Sequence, residues 1–249
     1  MRAAYAVARS FGADADRRFV PERHSLVCAS RGVLRLQGAG SRWLLPPARA
    51  ALVAAGQPVV VGVPKPVMTA SIFIDSHRYP PPTSPLAVFD LTPLAQALVR
   101  EAATWAAPQE PMTGHDQTVA DALVAVVWRL AANPNGVVMP VGRSLEVIEA
   151  LSHTEDRPAG PLTFDEVAAH VGLAPRSLAR RFQDELGLTW RGALRRSRIQ
   201  RAVELLAVGE ASVARVAHDV GYGSLSAFSV AFRDLTGHAP SKYRDTFGS

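Results

Sequence analysis

A chain of 249 residues, 48% hydrophobic and 20% charged, is long enough for one large or two ordinary domains, and it has no long low-complexity tract, which excludes a mainly disordered protein. Its charge is +5, from 27 Lys and Arg against 22 Asp and Glu, and only Lys65 and Lys242 of the bases are lysines. The single cysteine, Cys28, excludes an internal disulfide and a Cys-based zinc site; no apolar run suits a membrane span, and the opening residues lack the apolar stretch of a secretory signal, so a soluble cytoplasmic protein is expected.

Residues 1–20 read as a poorly defined lead-in. From His24 to Asp75 the pattern is one of short strands, at 26–29, 33–37, 42–45, 49–53, 59–63 and 69–74, punctuated by Gly or Pro. A spacing of about ten residues suggests a small antiparallel barrel or sandwich. Cys28 lies in an apolar run, as a small core residue does. His24 stands alone, and one imidazole cannot hold a metal without further ligands, so no metal and no cofactor are expected. Residues 77–85 form a Pro-rich loop. Thr92 and Pro93 then supply an N-cap and first position for a helix whose apolar stripe is Leu94, Leu98 and Ala102. A second helix is predicted over 117–132, with Val119, Leu123, Val126, Val127 and Leu130 at helical spacing and Asn133-Pro-Asn-Gly136 as its stop. His115-Asp116 ahead of it reads as a cap and turn.

Residues 137–140 read as a hinge. A helix over 144–151 places Leu145, Ile148 and Leu151 on one side, and 153–161 is a loop. Thr163-Phe-Asp-Glu166 is a capping box opening a helix over 164–170 that buries Phe164, Val167 and Ala168. From here one pattern occurs twice. Phe164-Asp-Glu-Val-Ala-Ala-His-Val-Gly172 leads into Leu-Ala-Pro-Arg-Ser-Leu-Ala-Arg-Arg-Phe182. Val213-Ala-Arg-Val-Ala-His-Asp-Val-Gly221 leads into Tyr-Gly-Ser-Leu-Ser-Ala-Phe-Ser-Val-Ala-Phe232. A short amphipathic helix, a Gly that breaks it and a second amphipathic helix are the sequence form of a helix-turn-helix.

In the first copy Leu178, Phe182 and Leu186 face inward. Arg176, Ala179, Arg180 and Gln183 then share the opposite face, a stripe able to reach base edges in a major groove, where Arg pairs with guanine through two bonds. Arg181 points to the side, towards phosphate. A long helix over 190–208, with Leu194, Ile199, Val203 and Leu206 as core, separates the copies; its Arg195, Arg196, Arg198 and Arg201 give outward charge, with Arg195 and Arg196 as phosphate candidates. In the second copy Ser212 is the N-cap and Phe228 and Phe232 face inward. Leu225, Ser226, Ser229 and Val230 face the bases, and Arg233 and Lys242 the phosphates. That stripe is poor in long polar side chains, so selectivity is expected to rest on the first copy. Between Arg176 and Arg201 eight Arg meet only Asp184 and Glu185, a local +6 against +5 for the whole chain, which is the footprint of a nucleic-acid binder.

Two stretches carry a family resemblance. Arg23-His24-Ser25-Leu26, Gly32-Val-Leu-Arg-Leu, Trp43-Leu-Leu-Pro-Pro47 and Ala55-Gly-Gln-Pro58 resemble the cupin-like sensory barrel of AraC-type (AraC/XylS) transcription regulators. Residues 144–244 resemble the DNA-binding domain of the same family, on Leu178-Ala-Arg-Arg-Phe182 and above all on Val216-Ala, Val220-Gly-Tyr222, Ser224-Leu-Ser-Ala-Phe228, Phe232-Arg233, Gly237, Pro240 and Tyr243-Arg244. Departures are Val59 where such regulators often carry His, Ala174 where Ser usually caps, and apolar Leu225 and Val230 where polar readers are common.

The resemblance implies an α+β chain: a cupin-like sensor and dimerisation domain over 1–136, a small antiparallel β-barrel with two packing helices, then an all-α tandem helix-turn-helix domain over 137–249. It further implies a sequence-specific transcription regulator and not an enzyme. Such a protein binds double-stranded DNA as a homodimer, contacts RNA polymerase, has no membrane association and answers a small-molecule effector, for which His24 and Trp43 are the candidate pocket residues. Two other readings compete. A cupin-type enzyme needs a ligand cluster that the sequence lacks. A non-specific architectural DNA-binding protein predicts uniform affinity across sequences.

Overall fold

The computed structural model describes residues 3–47, 49–63, 65–105, 112–134, 137–208 and 211–247. Contacts divide the chain into two compact units, one of residues 1–39 and 43–136, the other of residues 40–42 and 137–248.

The first unit contains strands β1 (Ala4–Phe11), β2 (Asp14–Phe19), β3 (His24–Arg31), β4 (Leu34–Gly38), β5 (Ser41–Leu45, whose first two residues fall in the second unit), β6 (Arg49–Val53), β7 (Val59–Val63), β8 (Val67–Ile74) and β9 (Leu86–Asp90), then helices α1 (Pro93–Ala102) and α2 (Gly114–Ala131). The strands make two open antiparallel sheets, not the closed barrel expected. One has the order β1-β8-β3-β6-β9; the other has β5-β4-β7-β2 in succession. Among the described residues no pairing joins the edges β1 and β9 to the second sheet.

Period-two alternation explains the layering. Leu26 and Cys28, Ala50 and Leu52, Ile72 and Ile74, and Ala87 and Phe89 lie on one face of the first sheet, and they form a single core with Ala95, Val99, Ala102, Leu123 and Val127 of the two helices. The helices turn their small residues to that core. Ala95 and Ala120 are fully buried, whereas Leu94 of the expected stripe is 56% exposed and Leu98, Val119, Val126 and Leu130 sit at the margin. Close approach of helix to sheet favours Ala over Leu at the contact. One buried ion pair ties the sheet: Arg49 Nε lies 2.7 Å from Asp90 Oδ1, directly across the β6–β9 ladder.

Several sequence expectations are corrected here. The lead-in over 1–20 holds two strands: β1 pairs with β8 along its whole length, and β2 pairs with β7. The Pro-rich loop is followed by β9, which pairs with β6. Helix α2 starts at Gly114, not near Gln117, because Thr113 and Asp116 form a capping box. Asn135 and Gly136 of its expected stop lie outside the described residues.

The second unit contains β10 (Met139–Pro140), α3 (Leu145–Asp156), α4 (Phe164–His170), α5 (Pro175–Leu186), α6 (Trp190–Val208), α7 (Val213–Asp219), α8 (Leu225–Thr236) and α9 (Pro240–Phe247). Within the expected hinge at 137–140, Met139 and Pro140 form a short strand paired with Arg42 and Ser41, and Met139 is fully buried. Helix α3 runs on to Asp156, past the expected end at 151, and it buries Val147, Ala150, Leu151 and Thr154; Leu145 and Ile148 face outward, at 66% and 44% exposure. One core joins these residues to Val167, Leu178, Phe182, Leu186 and Trp190. A second is built on Phe228, Phe232 and Tyr243, whose rings meet in sequence, tilted and then edge-on, with centroids 5.5 and 5.3 Å apart.

Candidate nucleic-acid interface

Two helix-turn-helix units lie in the second unit of the chain, α4 with α5 and α7 with α8. Local chemistry fixes each start. The Thr163 hydroxyl accepts from the Glu166 amide, while the Glu166 carboxylate accepts from the Thr163 amide at 2.7 Å. Ser212 and Ser224 cap α7 and α8 by accepting from the amides of Arg215 and Ala227, each at 3.2 Å. Ala174 at the N-cap of α5 makes no such bond, and Pro175 at the first helical position presets the backbone there instead.

Both outward stripes are presented as the helical period requires. On α5, Arg176, Ala179, Arg180 and Gln183 are exposed, over a buried Leu178, Phe182 and Leu186. Arg176 and Arg180 have no ion-pair partner among the described residues, so both guanidiniums are available. On α8, Leu225 and Val230 are 48% and 61% exposed, Ser226 is exposed and Ser229 half-buried, over Phe228, Ala231 and Phe232.

The cations expected on phosphate divide into two groups. Arg181 is committed to Glu146 of α3 at 2.8 Å, Arg195 to Asp234 of α8 at 2.7 Å, and Arg196 donates to the Val138 carbonyl at 2.6 Å. These three act first as internal ties. Arg233 and Lys242 are exposed. Arg191, which the sequence reading does not single out, is exposed on the first turn of α6 with no partner among the described residues. Its signal in the sequence is only membership of the Arg-rich run, and its freedom depends on which acids the fold brings near.

Glu185 takes a role that helical spacing could not reveal. Its carboxylate accepts from the amides of Arg143 and Ser144 at 2.7 and 2.8 Å and from the Ser144 hydroxyl at 2.6 Å, so α5 caps the start of α3. Partial burial disfavours the charged form, but these bonds from Ser144 and Arg143 outweigh it and hold the carboxyl below its ordinary range.

The candidate effector residues lie in the first unit, away from its cavity. His24 is buried, accepts from the Ala55 amide at 3.1 Å and sits edge-on to Trp128; burial lowers its pKa, against the opposing effects of the Tyr79 backbone and Asp75. Trp43 is buried on β5. A cavity of about 460 Å³ opens between the two sheets instead, with Tyr5, Val7, Val27, Val61 and Phe73 as apolar lining and Arg9 among its polar groups. Burial pushes the Cys28 thiol up to about 12, which suits a core position and not a nucleophile. Among the described residues no group of three or more His, Cys, Asp or Glu is placed to hold a metal, and no helix is long and apolar enough to cross a membrane.

Residues 167–246 match the model of a helix-turn-helix domain family. A putative AraC-like transcription regulator of Streptomyces antibioticus is 39% identical over 98 residues, 39% of this chain and 32% of that protein. The xylose operon regulatory protein of Escherichia coli (strain K12) is 27% identical over 99 residues, 40% and 25% of the two chains. The chain therefore spans about a third or less of the curated relatives it matches. A structure of ToxT from Vibrio cholerae is similar over 100% of both chains at 12% identity, with a TM-score of 0.43.

Proposed function

We propose that the chain is a sequence-specific DNA-binding transcription regulator of the AraC type, a reading supported by the match of residues 167–246 to a helix-turn-helix domain family and by their similarity to an AraC-like regulator. The observation that carries the reading is the outer stripe of α5. Arg176, Arg180 and Gln183 stand exposed at helical spacing, and the two Arg have no partner among the described residues, so the groups that can pair with base edges are unspent. Arg176, Ala179, Arg180 and Gln183, with Leu225, Ser226, Ser229 and Val230 of the second unit, are the base-facing set. Arg233 and Lys242 are phosphate contacts.

The first unit is read as a sensor and dimerisation domain. Its inter-sheet cavity of about 460 Å³ falls in the range of small-molecule sites, roughly 300–1,000 Å³, and an effector bound there is the input. The regulator acts as a homodimer in the cytoplasm, meets RNA polymerase at its promoters and is not an enzyme.

Selection of bound duplexes from a random-sequence pool by the full chain, at stated salt, tests the reading. A recovered consensus with its strongest positions in one block is expected, since α5 carries the polar readers and α8 does not. A pool that emerges without enrichment would instead mark a non-specific architectural protein.

A further inference from the structure

A cleft of about 930 Å³ runs between the two helix-turn-helix units. Its floor is the first half of α6, which turns Arg191, Arg195 and Arg198 to it at i, i+4 and i+7, one face of a helix. One wall is α8, through Ser226 and Val230; the other is the segment that opens α4, where Asp165 is the one acid in the lining. The three Arg are in different states. Arg195 is held by Asp234 at 2.7 Å. Arg198 donates to the Pro158 carbonyl at 2.8 Å, and its guanidinium lies 5.8 Å from the centre of the Tyr222 ring. Only Arg191 is exposed and unpaired among the described residues.

The cleft is continuous with the base-facing stripe, because Ser226 and Val230 belong to both. A helix that enters a groove is flanked by the sugar–phosphate strands that bound that groove. Whatever strand borders the groove met by α8 on the α6 side passes over this opening. With Arg195 spent on Asp234, Arg191 and Arg198 still outnumber the one lining acid, Asp165, so the opening suits an anionic strand.

We propose that this cleft receives the DNA sugar–phosphate strand beside the groove read by α8, with Arg191 as its phosphate contact. The inference rests on the DNA-binding reading above. It also accounts for how α8, whose stripe offers Leu225, Ser226, Ser229 and Val230, is held in place: the anchoring charge comes from the neighbouring helix. Such a contact fixes position and carries no base information.

The test uses the full chain, unsubstituted and as Arg191→Gln and Arg191→Lys, with Arg201→Gln as a control, since Arg201 pairs with Glu204 at 2.6 Å and lies outside the cleft lining. Affinity for random-sequence duplexes of about 40 base pairs, roughly four helical turns, is measured from 50 to 200 mM salt. Loss of one phosphate contact lowers the log–log salt slope by about 0.9, so the affinity ratio across that fourfold salt range shrinks by about 3.5-fold for Arg191→Gln. Arg191→Lys and Arg201→Gln keep the original slope, and Arg191→Gln weakens all the duplexes alike. A Gln variant with unchanged melting temperature and unchanged slope overturns the assignment. So does a loss confined to particular base pairs, which would make Arg191 a base reader. If the unsubstituted chain binds no duplex, the DNA-binding reading falls, and this inference with it.

Discussion

Arg180 and Arg196 are both arginines of one basic run, and the fold gives them opposite duties. Arg180 projects from the outer face of α5 with no partner for its guanidinium among the described residues. Replacing it with Ala should cost about 1–3 kcal/mol at one base pair and flatten the preference there, as read from a binding profile over all single-base variants of the selected site. Arg196 spends its charge on the Val138 carbonyl at 2.6 Å. Arg196→Ala should therefore lower stability by about 1.5–3 kcal/mol, the worth of a hydrogen bond to a charged group, and leave the salt slope of DNA binding where it was. Thermal melting and a salt titration separate the two outcomes. The exposed stripe of α5 was legible in the sequence because exposure on a helix follows from spacing. The fate of Arg181, Arg195 and Arg196 was not, because their partners Glu146, Asp234 and Val138 lie 35 to 58 residues away along the chain.

Elements in this chain are joined by a few polar contacts whose loss has defined costs. Arg49 and Asp90 pair in the interior of the first sheet, and removing one partner leaves a charge buried; Arg49→Ala should destabilise the first unit by about 3–5 kcal/mol in denaturant unfolding. Glu185 caps α3 from α5. Its pKa is lower folded than unfolded, so its contribution is complete above the unfolded value and is lost as the pH falls through the lowered folded value. Glu185→Gln should accordingly lower the melting temperature at neutral pH and shrink the difference between neutral and acid melting. Strand elements were less legible than helices, for a reason visible in three cases. In β1 Ala alternates with Tyr5 and Val7 and masks the period; β2 is polar from Asp14 to Arg18 and becomes a strand only by pairing with β7; β9 follows a Pro-rich stretch that reads as loop. The face went astray on α1, where Ala95 and Val99 are buried and Leu94 of the expected stripe is exposed, while on α2 Leu123 and Val127 face the core as expected.

Across the second unit as a whole, one close approach links its two halves. Gly221 in the second turn has a φ of +83°, and a Cβ there would lie 2.8 Å from the Pro158 carbonyl oxygen and 3.0 Å from the Ala159 Cα. Arg198 bonds that same Pro158 carbonyl. Gly221→Ala should cost about 1–2 kcal/mol from the positive φ alone, with more from the contact, and should weaken duplexes that engage both units more than duplexes that engage one. Paired binding curves on the full selected site and on each half of it would read this; equal losses on all three would mean the contact does not hold the spacing. The tandem pattern itself was plain in the sequence, as two unequal copies separated by a long helix, but the backbone contact between Gly221 and the loop around Pro158 was not. That contact means that the copies are not interchangeable parts. A designer who grafts the segment from Val213 to Thr236 of a related chain into this one must carry over the loop around Pro158 and the α6 Arg as well, so on the DNA-binding reading proposed above new preferences are reached by altering surface side chains and not by exchanging whole helix-turn-helix units.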